Sequence, residues 1–389
     1  MPGPSAPLET EWVFLLAACS DHSAEVKTRR LQGLLQSPIP WSALRGLADH
    51  HGVQPILTQA VANFEAQVPA EAVAALKESY RANLHKSLFL SGEFVRIVDS
   101  LSQASIEFIP YKGLALAEMV YGDIALRQSG DIDLLVHATD LRRVRQALEE
   151  LGYRPHQRLS ADEEEAYLRS GYECAFDGPL GKNLLEVQWA IQPRFYAVDL
   201  AVEGLFRRAV KTTVAGVEVK ALCAEDLFVV LALHAAKHVW GKLIWLCDLA
   251  RIASMPALDW TRIGDQAREL GITRILWVTL LLAQNLLDAP VPAAAKENLP
   301  EDFGAAPLAH EIEGYIVSDR TFDVESRAYF SLMLRLRERR ADRTRFISRL
   351  VFTPGPSEWA ITRLPKPLFP LYQVLRITRL GARIVSGRI

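Results

Sequence analysis

The sequence predicts an α+β fold in which two helical stretches enclose one small module of strands and helices. Three observations lead there. Apolar residues recur at helical spacing over residues 8–102 and again from Glu225 to about Leu350. Between them, at about residues 103–220, short apolar runs are bounded by glycine and proline, the texture of strands and tight turns. Half of the 389 residues are hydrophobic, enough for a large core and too many for long disorder.

The elements follow in order. Glu9, Trp12, Val13 and Leu16 fall on one face of a first helix, and residues 75–101 repeat apolar positions with the same period. Residues 106–110 read as a short strand, 114–121 as a helix-like segment and 122–130 as a polar loop. A second strand covers Ile132–Val136. A helix over residues 140–151 comes next, with Asp140 placed as its N-cap. The acidic run 162–165 reads as a solvated helix start. Residues 172–176 and 183–189 are two more strands, and the Gly/Pro-bearing segment 177–182 joins them as a hairpin. Residues 214–219, centred on Gly216, predict a second, smaller hairpin. Helix runs from Glu225 to about Leu287, breaks at a Pro/Ala-rich linker over 289–307, and resumes. The expected organisation is an N-terminal helical region (1–102), a core (103–220), a helical domain (221–334) and a tail (335–389). No internal repeat is present.

Charge and cysteine usage narrow the function classes. The net charge of −2 gives no global field that would select a polyanionic partner. The tail differs: from Arg335 onward it carries 13 Lys and Arg against 3 Asp and Glu, a net of +10, which leaves −12 for the rest. With its interleaved aromatics the tail suits RNA or an anionic membrane surface, or it packs back on the acidic remainder. Cys19, Cys174, Cys223 and Cys247 show no CxxC spacing and sit among apolar residues, as buried free thiols of a reducing compartment do. The first residues lack the basic and apolar regions of a signal peptide. No run approaches the roughly 18 uncharged apolar residues of a membrane span, since Glu225 and Asp226 interrupt the stretch 222–233. A soluble, cytoplasmic protein is expected.

The chemistry concentrates in Tyr111-Lys112-Gly113 and in the run from Arg127 to Val136, RQSGDIDLLV. Side chains alternate along a strand, so Asp131 and Asp133 project from one face, about 7 Å apart, while Ile132 and Leu134 turn into a core. Carboxylates held that way can share divalent cations; Mg²⁺ takes one or two carboxylates plus water and substrate phosphates. Lys112-Gly113 follows a strand and opens a helix, where backbone N–H groups bind phosphate and glycine permits close approach. Lys112 is a phosphate ligand or a surface lysine. Glu186 is a charge in an otherwise apolar strand and needs a partner, either a metal ion or a structural cation; Glu173 is the next candidate. Arg127 can hold a phosphate bidentately, or can pair with Asp123 or Asp131. His234 and His238 stand i, i+4, a zinc-like spacing with no third ligand evident, and read as satisfied helix histidines. Lys237 is positioned to reach a triphosphate. Asp248 either orients Lys237 or caps structure.

The ordered set of a strand, Lys112-Gly113, a helix, Arg127, the GDIDLLV strand, a helix, a hairpin and Leu184-Glu186-Gln188-Trp189 resembles a bacterial family of uncharacterised nucleotidyltransferases within the DNA polymerase β-like superfamily. The segments from His234 to Trp240 and Trp245 to Leu249, and the later LPKPLFPLYQVLR stretch, are also similar, so the resemblance covers most of the chain from about residue 80. It implies a polymerase β-like core flanked by helices. It also implies Asp131, Asp133 and Glu186 as ligands of Mg²⁺ or Mn²⁺, with Lys112, Gly113, Arg127 and Lys237 gripping an NTP. The implied reaction moves a nucleoside monophosphate from the NTP to a small molecule, a peptide or an RNA (tRNA) end, releasing pyrophosphate. Two departures stand out. Lys112-Gly113 replaces the Gly-Ser or Gly-Gly pair of the wider superfamily, and Gln188 stands where many relatives carry His. The alternatives are a phosphoryl-modifying enzyme on the same site and a non-catalytic, antitoxin-like binding module.

Overall fold

The computed structural model describes residues 8–157, 159–318, 326–359, 361–362 and 364–385. The N-terminal region forms α1 (Thr10–Cys19), α2 (Ala24–Leu34), α3 (Trp41–His50), α4 (Gln54–Val61) and the 34-residue α5 (Ala70–Gln103). The one-sided stripe expected for the first helix is too narrow a description. Trp12 and every residue from Phe14 to Cys19 are buried, because α1 packs against α3, α4 and a later helix at once. A helix apolar all round is a core helix.

The module contains β1 (Phe108–Pro110), the short α6 (Gly113–Leu116), which continues as a π turn to Tyr121, and β2 (Ile132–Val136). Next come α7 (Leu141–Glu150), β3 (Arg154–Pro155), α8 (Ala161–Ser170), β4 (Glu173–Gly178) and β5 (Gly181–Gln188). The strands form one mixed sheet in the order β1-β2-β5-β4-β3, with β2 and β5 parallel and the other pairs antiparallel. The two-residue β3 is too short to carry an alternation, and the sequence reading missed it.

Two local expectations change. Asp140 stands at the N-cap of α7, but its carboxylate accepts from Arg143 Nη1 at 2.7 Å and caps no backbone N–H. In the acidic run, Glu163 is buried. It closes a capping box, accepting from the Ser160 N–H at 2.7 Å, so that run is more than a solvated face.

Beyond the sheet lie α9 (Val202–Arg208) and the hairpin of β6 (Val210–Val214) and β7 (Val217–Ala221), turned at Ala215-Gly216 with both φ angles positive. The helices α10 (Ala224–Lys237), α11 (Leu243–Ala253), α12 (Trp260–Leu270) and α13 (Thr273–Leu287) follow. The expected linker over 289–307 contains α14 (Ala293–Asn298), started by Pro292 and built from alanines whose helix propensity the loop-like composition concealed. The chain ends in α15 (Ala305–Val317), α16 (Arg327–Arg335), α17 (Arg340–Phe352), α18 (Pro356–Trp359) and α19 (Leu371–Val385). Among the described residues, no helix is long and apolar enough to cross a membrane.

Two hydrophobic cores hold these elements. One face of the sheet, with Ile132, Leu134, Val136, Leu185 and Val187, packs on Leu90, Phe94, Ile97 and Leu101 of α5 and on Val144 and Leu148 of α7. The second core runs from Trp12 to Phe346 and joins the N-terminal helices to α10–α17, taking in Ile109 and Leu135 from the other sheet face. The helical stretches on either side of the module in sequence therefore pack on each other in space.

One buried ion pair ties the module to the helices. Arg127 Nε lies 3.1 Å from both Asp248 carboxylate oxygens and Nη2 lies 2.9 Å from Oδ2, while the Tyr121 hydroxyl donates to Oδ1 at 2.7 Å. Arg127 is 6% exposed and Asp248 1%. The carboxylate that meets Arg127 thus comes from α11, whereas the sequence reading looked nearby, to Asp123 or Asp131. Removing one member strands a buried charge. Asp248→Ala should lower unfolding free energy by about 3–5 kcal/mol in urea titrations, and a wild-type midpoint would remove the clasp from the account.

Candidate active site

β2 and β5 run parallel with Asp133 directly beside Glu186, Ile132 beside Leu185 and Leu134 beside Val187. Adjacent strands stand about 4.8 Å apart and paired residues share a face, so the two carboxylates emerge together opposite the apolar core. Asp131 sits just before β2 and lines the same cavity. Next to Glu186, β4 places Glu173 opposite Gln188. Gln188 Nε2 donates to Glu173 Oε2 and to Glu186 Oε2, both at 3.3 Å, and its Oε1 accepts from the buried Tyr111 hydroxyl. The residue whose role the sequence left open therefore spaces two carboxylates.

Lys112 stands among these acids. Its Nζ is 2.5 Å from Asp133 Oδ1 and 3.8 Å from Glu186 Oε2. Burial works against its charge, but Asp133 and then Glu186 outweigh burial and hold its pKa above the usual lysine value. Lys112 is thus a largely enclosed partner of carboxylates, not a surface lysine. Gly113 is required by geometry: its φ is +54°, and a Cβ would lie 2.9 Å from the Asp131 carbonyl oxygen. The close approach anticipated for phosphate is, in this structure, an approach to the Asp131 backbone.

The acids remain crowded. Burial first, and then the Asp133 charge, push Asp131 up to about 6 and Glu186 up to about 8. Among the described residues, no three His, Cys, Asp or Glu side chains form a ready-made metal cage. Asp131, Asp133 and Glu186 could hold a cation only if water or substrate oxygens completed its shell, an arrangement of the kind Mg²⁺ accepts.

The cavity in front of the acids measures about 730 Å³. The loop 122–130 forms one wall, stapled to α5 by Asn83 Nδ2 to the Ala125 carbonyl (2.9 Å) and Ser87 Oγ to the Ile124 carbonyl (3.1 Å). Arg127 lines this wall, with its Nε and Nη2 committed to Asp248 and its Nη1 3.4 Å from Ser129 Oγ. Facing the sheet, the C-terminal end of α10 supplies Lys237, whose Nζ donates to the Tyr172 hydroxyl at 2.8 Å. Burial lowers the Lys237 pKa; Glu173 opposes that shift and Lys112 adds to it. Val239 and Trp240 then turn the chain with positive φ, a strained geometry held by the buried Trp240 indole donating to Thr279 Oγ1 at 3.0 Å. That turn brings Lys242 and Trp245 into the same cavity, and Lys86 enters from α5.

His234 and His238 also line the cavity, but as an aromatic group around Trp245, with ring centroids 5.2 and 5.4 Å from it. Burial holds His234 well below its usual pKa, so its imidazole is neutral, while the more exposed His238 is shifted in the same direction by desolvation and by the Lys237 charge. The sequence singled out Lys237 but missed Lys86, Lys242 and Tyr172. A lysine on a helix carries no local mark of the cavity it will face, although Lys242 lies between the two segments, 234–240 and 245–249, that the sequence singled out.

On this α+β frame, adjacent carboxylates and several lysines line one pocket. A family model described as uncharacterised nucleotidyltransferase matches residues 37–288, and the chain belongs to that family. No curated protein and no solved structure matches it.

The crowding has a pH signature. Glu186 is raised from 4.5 to about 8, so the folded state keeps a proton that the unfolded state has released between those values. Its contribution is fully present below the unfolded pKa and is lost as pH rises through about 8. Metal-free protein should therefore lose melting temperature between about pH 5 and about pH 8, and Glu186→Gln should flatten that decline. Parallel declines in the two proteins would place the Glu186 carboxyl in an ordinary environment.

Proposed function

We propose that this nucleotidyltransferase has a DNA polymerase β-like core and depends on Mg²⁺ or Mn²⁺. In this reading it moves a nucleoside monophosphate from an NTP to a hydroxyl of a small molecule, a peptide or an RNA end. The observation that carries the proposal is the register pairing of Asp133 with Glu186 around Lys112. Asp131, Asp133 and Glu186 would hold the cations. When bound, such ions neutralise phosphate charge and lower the pKa of the attacking hydroxyl.

The chain's own residues supply position and charge. Lys112, released from Asp133, meets phosphate oxygens, while Lys237 and Lys242 neutralise the triphosphate from the wall that faces the sheet and Lys86 does so from α5. Gln188 keeps Glu186 and Glu173 spaced and oriented. Arg127 holds the loop that carries Asp131, through its pair with Asp248 and its contact with Ser129. In the transfer, the acceptor oxygen bonds to the α-phosphorus and the bond from that phosphorus to the bridging oxygen breaks. Pyrophosphate leaves with the electron pair, and the hydroxyl proton passes to solvent or a nearby carboxylate. Catalysis then rests on alignment and charge neutralisation.

A second reading rests on the same contact. If Lys112 stays on Asp133 as a permanent substitute cation, the pocket binds its anion without metal, as a non-catalytic module would. Calorimetry separates the two. The enzyme reading expects NTP affinity to rise on adding Mg²⁺ and to fall with EDTA, whereas equal affinity in both favours the binding module. With labelled NTP, Mg²⁺ and cell extract as the acceptor source, Glu186→Gln should leave NTP affinity little changed. Transfer should fall by at least about a hundredfold, with a melt to confirm folding. Near-normal transfer would make Glu186 structural.

A further inference from the structure

The last helix of the tail, α19, packs its arginines inward and its apolar side chains outward. In α19 the exposed residues over 371–381 are Leu371, Gln373, Val374, Ile377 and Thr378, and none of them is charged. The arginines turn the other way. Arg376 Nη1 lies 3.2 Å and Arg379 Nη2 2.7 Å from the fully buried Glu358 carboxylate, and Arg376 Nε donates to the Leu350 carbonyl at 2.6 Å. Leu371, Val374 and Ile377 are 46%, 55% and 45% exposed, and Ile347, Phe352, Ile361 and Leu368 nearby are similarly open. A solvent-facing apolar stripe of this kind marks a surface that something covers.

The charges say what covers it. The three acids of the tail are all drawn inward: Asp342 and Glu358 are buried, and Glu338 accepts from the Arg274 N–H at 2.7 Å. Arg339, Arg340 and Arg345 are exposed. The open surface thus combines aliphatic side chains with positive charge and no exposed acid among the described tail residues. Nucleic acid would call for outward stacking aromatics, yet Trp359 and Tyr372 are buried, Trp359 stacks edge-on with Tyr167 at 5.9 Å, which in turn meets Trp189, and six of the seven open apolar side chains are aliphatic, Phe352 being the exception. Aliphatic chains beside cations fit the boundary between acyl chains and anionic headgroups.

We propose that α19 and the length of α17 form a peripheral docking surface for an anionic lipid bilayer. The apolar stripe enters the headgroup boundary while the arginines meet lipid charge. The inner face stays locked on Glu358, and the aromatic chain from Trp359 through Tyr167 to Trp189 ties the docked tail to the end of β5. This inference is independent of the cavity chemistry.

The test is co-sedimentation of the full chain with equimolar phosphatidylserine–phosphatidylcholine vesicles and with pure phosphatidylcholine vesicles. The wild type should bind the anionic vesicles, release in high salt and leave the neutral ones. Combining Val374→Asp with Ile377→Asp should cut the bound fraction by at least about tenfold. Both side chains are exposed, so the melting temperature should not move. Arg340→Glu serves as a second variant that leaves the stripe intact and should weaken binding in the same salt-dependent way. Absence of binding to anionic vesicles, or unchanged binding by the double variant, overturns the proposal. So does a wild-type dimer that the double variant splits in light scattering, because a second copy would then be the occupant.

Discussion

The parallel pairing of β2 with β5 is the constraint on which the rest of the site depends. It sets Asp133 beside Glu186 on one face and leaves Ile132, Leu134, Leu185 and Val187 on the other. A one-residue slip of β2 would drive Asp133 into the core that α5 and α7 cover and turn Ile132 and Leu134 into the cavity, and a slip of β5 would do the same to Glu186, Leu185 and Val187. The apolar core thus enforces the polar geometry. Burying those side chains on one face is what keeps two like charges adjacent on the other.

Holding acids together has an electrostatic cost, visible in the upward shifts of Asp131 and Glu186. Several groups limit it. Lys112 supplies one positive charge at Asp133, and Gln188 donates hydrogen bonds to Glu173 and Glu186. The Arg127–Asp248 pair fixes the loop from outside, with Tyr121 as a further donor. What remains is an incompletely neutralised cluster facing several lysines across the cavity. In the proposed function, a cation and an anion bound together would complete it.

Much of this was legible in the sequence because it is local. The alternation in Asp131-Ile132-Asp133-Leu134 declares a strand with one polar face, and Glu186 declares itself as a charge among Leu184, Leu185 and Val187. The order of strands and helices in the module follows from Gly and Pro punctuation at 177–182 and 215–216. The missing parts are non-local or involve polarity that composition does not reveal. Asp248, 121 residues from Arg127, cannot be assigned as its partner from spacing alone. Lys86 and Lys242 look like any surface lysine until the fold turns them to one cavity. The first helix looked one-sided because a stripe was sought, whereas Phe14 through Cys19 are buried on every side. In α19, arginines read as solvent-facing by type, yet the buried Glu358 draws two of them inward.

The central claim is that Asp133 and Glu186 hold a cation once Lys112 moves to phosphate. A crystal structure with Mn²⁺ and a non-hydrolysable NTP analogue tests it most directly, because Mn²⁺ is located by its anomalous scattering. The account predicts Mn²⁺ on the Asp133 and Glu186 carboxylates, with Lys112 Nζ turned from Asp133 to a phosphate oxygen. An analogue bound with Lys112 still on Asp133 and no Mn²⁺ at these carboxylates would contradict it.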